Sequence, residues 1–197
     1  MSSTALWYLS RSTGVVLLVL LSFTAILGVV VHRRGRVPGL PSFAVTGLHR
    51  NASLLALVLL VIHVVTAVID SFVSIGWLAV VIPFVSAYEP VWVGLGALSL
   101  DLVVAIVVTS LIRDRIGRRT WRAVHLTAYA AFPLAAVHSI GAASDLQSGA
   151  LLALTVLCLA AVAGAVGWRL VESLRTPAGR DRVLSQLAAA EAAGARR

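Results

Sequence analysis

Residues 47–68 read GLHRNASLLALVLLVIHVVTAV, and this stretch decides the fold class. From Leu48 to Ile69 it stays apolar for the length of about 20 residues that a helix needs to cross a bilayer. It nevertheless carries two imidazoles, His49 at one end and His63 fourteen residues on. A second stretch, WRAVHLTAYAAFPLAAVHS at residues 121–139, repeats the arrangement with His125 and His138, thirteen residues apart. Polar, ionisable side chains at membrane depth are expensive and mark function by default, so these four residues organise the reading of the chain.

Composition agrees with a lipid environment. Hydrophobic residues make up 59% of 197 positions and charged residues 12%, with a mean hydropathy of +0.97. A soluble domain needs far more polar surface to cover its core. The length suits one helical bundle. A net charge of +8 would suit nucleic acid, but the arginines cluster between apolar runs and read as topological signals, so no nucleic-acid partner is expected. Cys158 is the single cysteine, which excludes an intramolecular disulfide and thiolate clusters; it reads as a small buried hydrophobe. The N-terminal MSSTALWYLSRSTG has no basic leader, so the first apolar run is taken as a membrane helix and not a signal peptide.

Five segments are long and apolar enough to span: roughly Gly14–Val31, Leu48–Ile69, Val91–Ile112, Trp121–Ala142 and Gly149–Val171. A sixth, Ser74–Val85, contains Pro83 and is too short, which suggests an interfacial or re-entrant segment. The expectation is an all-α, polytopic membrane bundle of five transmembrane helices plus that short segment. Residues 1–171 form the membrane domain, and 172–197 form a short cytoplasmic tail.

Every arginine except Arg11 falls in or beside the first or third connection, or at or beyond the C-terminal end of the fifth span. Asp70, Glu89 and Asp145 lie in the other connections, which hold no basic residue. Positive-inside asymmetry therefore puts the N-terminus outside and the C-terminus in the cytoplasm, in the plasma (cytoplasmic) membrane. Arg11 is either an interfacial anchor beside Trp7 and Tyr8 or a partner for an acidic group at the outer face. No Gly-rich strand–turn–helix fingerprint occurs, so no flavin or nicotinamide nucleotide is expected on this chain.

Under that topology the second and fourth spans run parallel. At about 1.5 Å per residue their histidines are separated by roughly 20 Å along each axis, which sets His49 opposite His125 and His63 opposite His138. Each pair offers two neutral imidazoles to the two axial positions of a haem iron. Two bis-His haems b stacked in this way would carry electrons across a bilayer about 30 Å thick. A lone membrane histidine more often hydrogen-bonds a neighbouring helix or relays protons. Four in two matched pairs favour ligation, while His32, beside Arg33 and Arg34, reads as an interfacial residue. One feature resists a simple ladder: thirteen residues turn a side chain roughly 140° from its starting face. The fourth span must then twist, bend or bulge, and Pro133 is a plausible site.

The two histidine-bearing stretches, together with VWVGLGALSLDLVVAIVVTSLIRDRIG at 91–117, resemble the ferric reductase-like transmembrane domain family. That family includes ferric reductases, NADPH oxidases and the haem-b subunit of the bacterial periplasmic methionine sulfoxide reductase system. The resemblance covers roughly residues 5–171. It implies two b haems held by His49 with His125 and by His63 with His138, and electron flow from the cytoplasmic side outward. Larger relatives add a C-terminal FAD and NAD(P)H domain. Here the donor would be quinol or a separate flavoprotein, and the acceptor an extracytoplasmic protein or ferric iron.

Haem propionates need cationic partners near the membrane surface. Arg50, Arg119 and Arg122 are candidates for the cytoplasmic haem, with membrane anchoring as their alternative role, and Arg11 is the candidate for the outer one. Asp101, in the middle of the third span, either orients a histidine through its second ring nitrogen or stays protonated and bonds a neighbouring hydroxyl. Trp92, Trp121, Trp168 and Tyr88 suit interfacial belts. The sequence thus points to an oxidoreductase component that transfers electrons across the membrane. Its alternatives are a cytochrome b561-like quinol oxidoreductase and a haem-free transporter or scaffold.

Overall fold

The computed structural model describes residues 3–32, 41–71, 73–142, 149–175 and 185. The arginines at 33, 34 and 36, Asp145 and the tail from 176 onward, apart from residue 185, lie outside the described residues. Helix α1 runs Ser3–His32, α2 Ser42–Ile69, α3 Leu78–Val81, α4 Pro90–Leu111, α5 Arg113–His125, α6 Ala128–Gly141 and α7 Ala150–Arg175. Four of these, α1, α2, α4 and α7, are long and apolar enough to cross a membrane, and α5 with α6 makes a fifth span if that bent pair is counted as one. The chain is a multi-pass helical membrane protein. Leu78–Val81 is a single turn, consistent with the short segment expected there.

The apolar residues left on the surface explain why lipid is the solvent. Leu54, Leu55, Val58 and Val61 of α2, Val104, Val108 and Leu111 of α4, and Val156 and Leu157 of α7 are all exposed. Inside, Val45, Ala52, Ala56 and Thr66 are the buried positions of α2, and α2 lies along α1. Small residues there let the two backbones approach closely, as membrane helix pairs require. A second pair forms between α4 and α6, where Ser99 donates from Oγ to the Ala131 carbonyl at 2.9 Å. Leu18, Phe132, Ala136, Cys158 and Val162 build the core at the meeting of α1, α6 and α7. Cys158 is buried in that core and unbridged, as its apolar context suggested.

The α1–α2 pair and the α4–α6 pair face each other, joined by contacts of α1 with α6 and α7. Helix α2 has no comparably extensive packing on α4 or α6. A cleft separates them.

The fourth span departs from expectation in where it breaks. The bend between α5 and α6 is 42° and falls at Leu126–Thr127, directly after His125, whereas Pro133 sits inside α6. Thr127 Oγ1 donates to the Val124 carbonyl at 2.7 Å. The backbone N–H groups of Thr127, Tyr129 and Ala130 all bond to carbonyls three residues back. Such tight winding turns about 120° per residue in place of about 100°. Together with the bend it returns His138 toward the face of His125, so the thirteen-residue offset is absorbed beside the histidine and not at the proline. Helix α5 also contains a break at Gly117, whose φ of 78° and ψ of 157° suit glycine.

Candidate functional site

The cleft brings the histidines together in the expected pairs. His49 and His125 have ring centroids 6.4 Å apart with planes at 66°, and His63 and His138 have the same 6.4 Å separation with planes at 78°. Neither pair is stacked. Bonds from imidazole nitrogen to a first-row metal run about 2.0–2.1 Å, and each ring centre lies roughly 1.1 Å beyond its nitrogen, so rings on opposite sides of one ion sit about 6.3 Å apart. No cluster of three or more His, Cys, Asp or Glu suited to a metal exists among the described residues. The donor set is therefore two imidazoles per site, which suits an ion whose other ligands come from a macrocycle.

Three of the four rings are locked from behind. His63 Nδ1 lies 2.8 Å from the Ser10 carbonyl, His49 Nδ1 3.0 Å from the Thr24 carbonyl, and His138 Nδ1 2.7 Å from the Trp92 carbonyl. A carbonyl only accepts, so each Nδ1 carries the proton and donates it, and Nε2 is left with a bare lone pair. The same device orients metal-binding histidines generally and strengthens them as donors.

A glycine recurs at one position beside each of these locks, and at Gly14 and Gly96 it makes the docking possible. Each acceptor carbonyl belongs to the residue four before a glycine: Ser10 with Gly14, Thr24 with Gly28, and Trp92 with Gly96. The imidazole lies over the missing side chain. A Cβ at Gly96 would fall 2.7 Å from His138 Nδ1, one at Gly14 2.9 Å from His63 Cε1, and one at Gly28 3.4 Å from His49 Cε1. Gly14 and Gly28 are fourteen residues apart on α1, matching His49 and His63 on α2. That signal was present in the sequence and is readable only once α1 is known to pack beside α2.

His125 differs. Its Nδ1 is buried without a hydrogen-bond partner among the described residues, and Trp121 stacks on its ring at 5.0 Å with planes 27° apart.

A cavity of about 250 Å³ surrounds the His63–His138 pair. Its walls are mostly apolar, from Leu17 and Leu21 of α1, Leu60 and Val64 of α2, and Leu100 and Val103 of α4. Arg11, Asp70 and Tyr88 also line it, and the Arg11 guanidinium sits 4.4 Å from the centre of the Trp7 ring. Asp70, which the sequence shows only as an acidic residue of a connection, is 4% exposed.

The remaining candidates divide. Arg11 reaches the cavity; Arg50, Arg119 and Arg122 are exposed, near His49 or His125 in sequence. Asp101 is half-buried on α4, does not line the cavity, and makes no hydrogen bond or ion pair among the described residues. Trp92 contributes its carbonyl to His138, and its indole covers Gly141.

Fold and site together define a polytopic helical membrane protein that holds paired imidazoles in a cleft between two helix pairs. Residues 13–136 match the ferric reductase like transmembrane component family, and the chain belongs to that family. Membership supports a membrane electron-transfer role and an oxidoreductase-type component. No curated protein and no solved structure matches the chain.

Proposed function

We propose that the chain is a transmembrane electron-transfer subunit holding two bis-His haems b, one between His49 and His125 and one between His63 and His138. The observation that carries this reading is the 6.4 Å ring separation found in both pairs, the interval that one six-coordinate iron fills. A b haem supplies a reversible one-electron iron couple. The protein's part is to present Nε2, exclude water and fix ring orientation. Ser10, Thr24 and Trp92 do the last of these through their carbonyls.

Arg11, which lines the cavity, would balance the propionates of the His63–His138 haem, and Arg50, Arg119 and Arg122, near His49 or His125 in sequence, those of the other. Charge asymmetry orients the N-terminus outward and the C-terminus to the cytoplasm, with the membrane domain over residues 1–171. Electrons would then enter from a cytoplasmic flavoprotein or from quinol and leave to an extracytoplasmic protein or ferric iron. Asp101 lies on α4 between the levels of Gly96 and Ser110 and is assigned no contact with either haem.

The test is direct. Protein purified after expression with ample haem should show a reduced α band and about two haems per chain in a pyridine haemochrome assay. A colourless, haem-free protein would sink the reading and leave proton relay or helix locking as the role of the histidines.

A further inference from the structure

Three histidines rest on a carbonyl beside a glycine, and the fourth has no such berth. The reason lies on α4. Gly96 and the Trp92 carbonyl hold His138, and fourteen residues further along stand Ser110 and the Ile106 carbonyl. At this second level a serine stands in place of the glycine. Ser110 meanwhile accepts a hydrogen bond at 3.2 Å from Trp121 Nε1, and that indole lies against the His125 ring. Trp121 precedes His125 by four residues on α5, so one helical turn sets the two rings face to face.

We propose that Trp121, anchored by Ser110, is the positioning residue of His125, doing by ring stacking what a backbone carbonyl does for the other three. The inference rests on the di-haem reading and deepens it. An indole face restrains tilt and slide of the imidazole, because aromatic pairs hold preferred offsets. It takes no proton from Nδ1. The plane of His125 is therefore set from α5, ahead of the 42° bend, whereas the plane of His138 is set from α4. The two haem sites are tuned by different elements and can be perturbed separately.

Low-spin EPR of the oxidised protein reads ring orientation at each haem and gives two low-field signals when both sites are filled. Trp121→Leu is expected to shift or broaden one of them and leave the other in place, with haem content unchanged. Trp121→Phe retains a stacking ring and should keep both signals close to wild type. Ser110→Ala, which removes only the anchor, should move the same signal by less than Trp121→Leu. Two unchanged signals in Trp121→Leu overturn the proposal, as does a change confined to the signal that Gly96→Ala perturbs. If Trp121→Leu does not assemble, Ser110→Ala decides: a shift of one signal supports the proposal, and none overturns it. A haem-free wild-type protein is a different outcome, because it removes the di-haem reading before any variant is made.

Discussion

The His63–His138 end and the His49–His125 end share one ring spacing and are built by different means. At the first, both rings donate to carbonyls and both lie over glycines. At the second, His49 does so with a looser fit over Gly28, and His125 relies on an indole. The first end is enclosed by a mostly apolar cavity with Arg11 and Asp70 on its lining. Beside the second, in sequence, stand the exposed arginines of α5. Identical ligands can thus be given unequal support, and the inequality is what experiments should address.

The largest effect should come from removing a ligand. His138→Ala is expected to remove about one haem of two while leaving the His49–His125 site filled, read by haemochrome stoichiometry. Loss of both haems, or of neither, would break the assumption that the ends are independent.

Next in size is Gly96→Ala. The added methyl meets His138 Nδ1 at 2.7 Å, and overpacking of this kind costs about 1–3 kcal/mol, so the midpoint of thermal haem release should fall. Gly28→Ala, with 3.4 Å of room, should be nearly silent in the same measurement. Equal responses would show that the two berths do not differ.

Arg11→Gln should speed transfer of one haem to an acceptor globin about fivefold, the loss of roughly 1 kcal/mol of propionate pairing. The same change at exposed Arg50 should do less.

The smallest effect concerns potential. A hydrogen-bonded Nδ1 strengthens the imidazole and favours oxidised iron. With one such bond at the His49–His125 end and two at the other, the His49–His125 haem should titrate at the higher potential. A bond of about 1 kcal/mol corresponds to on the order of 40 mV for one electron. Potentiometry at two wavelengths would detect the order, and the reverse order would refute this account.

The pairing of histidines was legible because two parallel apolar segments carried nearly equal offsets, and helix geometry turns equal offsets into opposed side chains. The break in the fourth span was not. Pro133 is the strongest breaker in that segment, yet a proline is tolerated inside α6, while Thr127 tightens the chain through a local side-chain bond that leaves no compositional mark. Likewise Trp121 read as an interfacial aromatic, because its role depends on Ser110 from another helix. Gly14 and Gly28 take their meaning from the packing of α1 beside α2, which lays His63 and His49 over them.

Each carbonyl lock is made within a helical hairpin: His49 and His63 of α2 bond to α1, and His138 of α6 bonds to α4. None of these bonds crosses the cleft. The rotamer freedom of those side chains is surrendered when each hairpin closes, ahead of the meeting of the two halves. In terms of biogenesis, each half would leave the insertion machinery with its ligands already aimed. The step that joins the halves then has little left to order, which favours capture of a rigid planar guest.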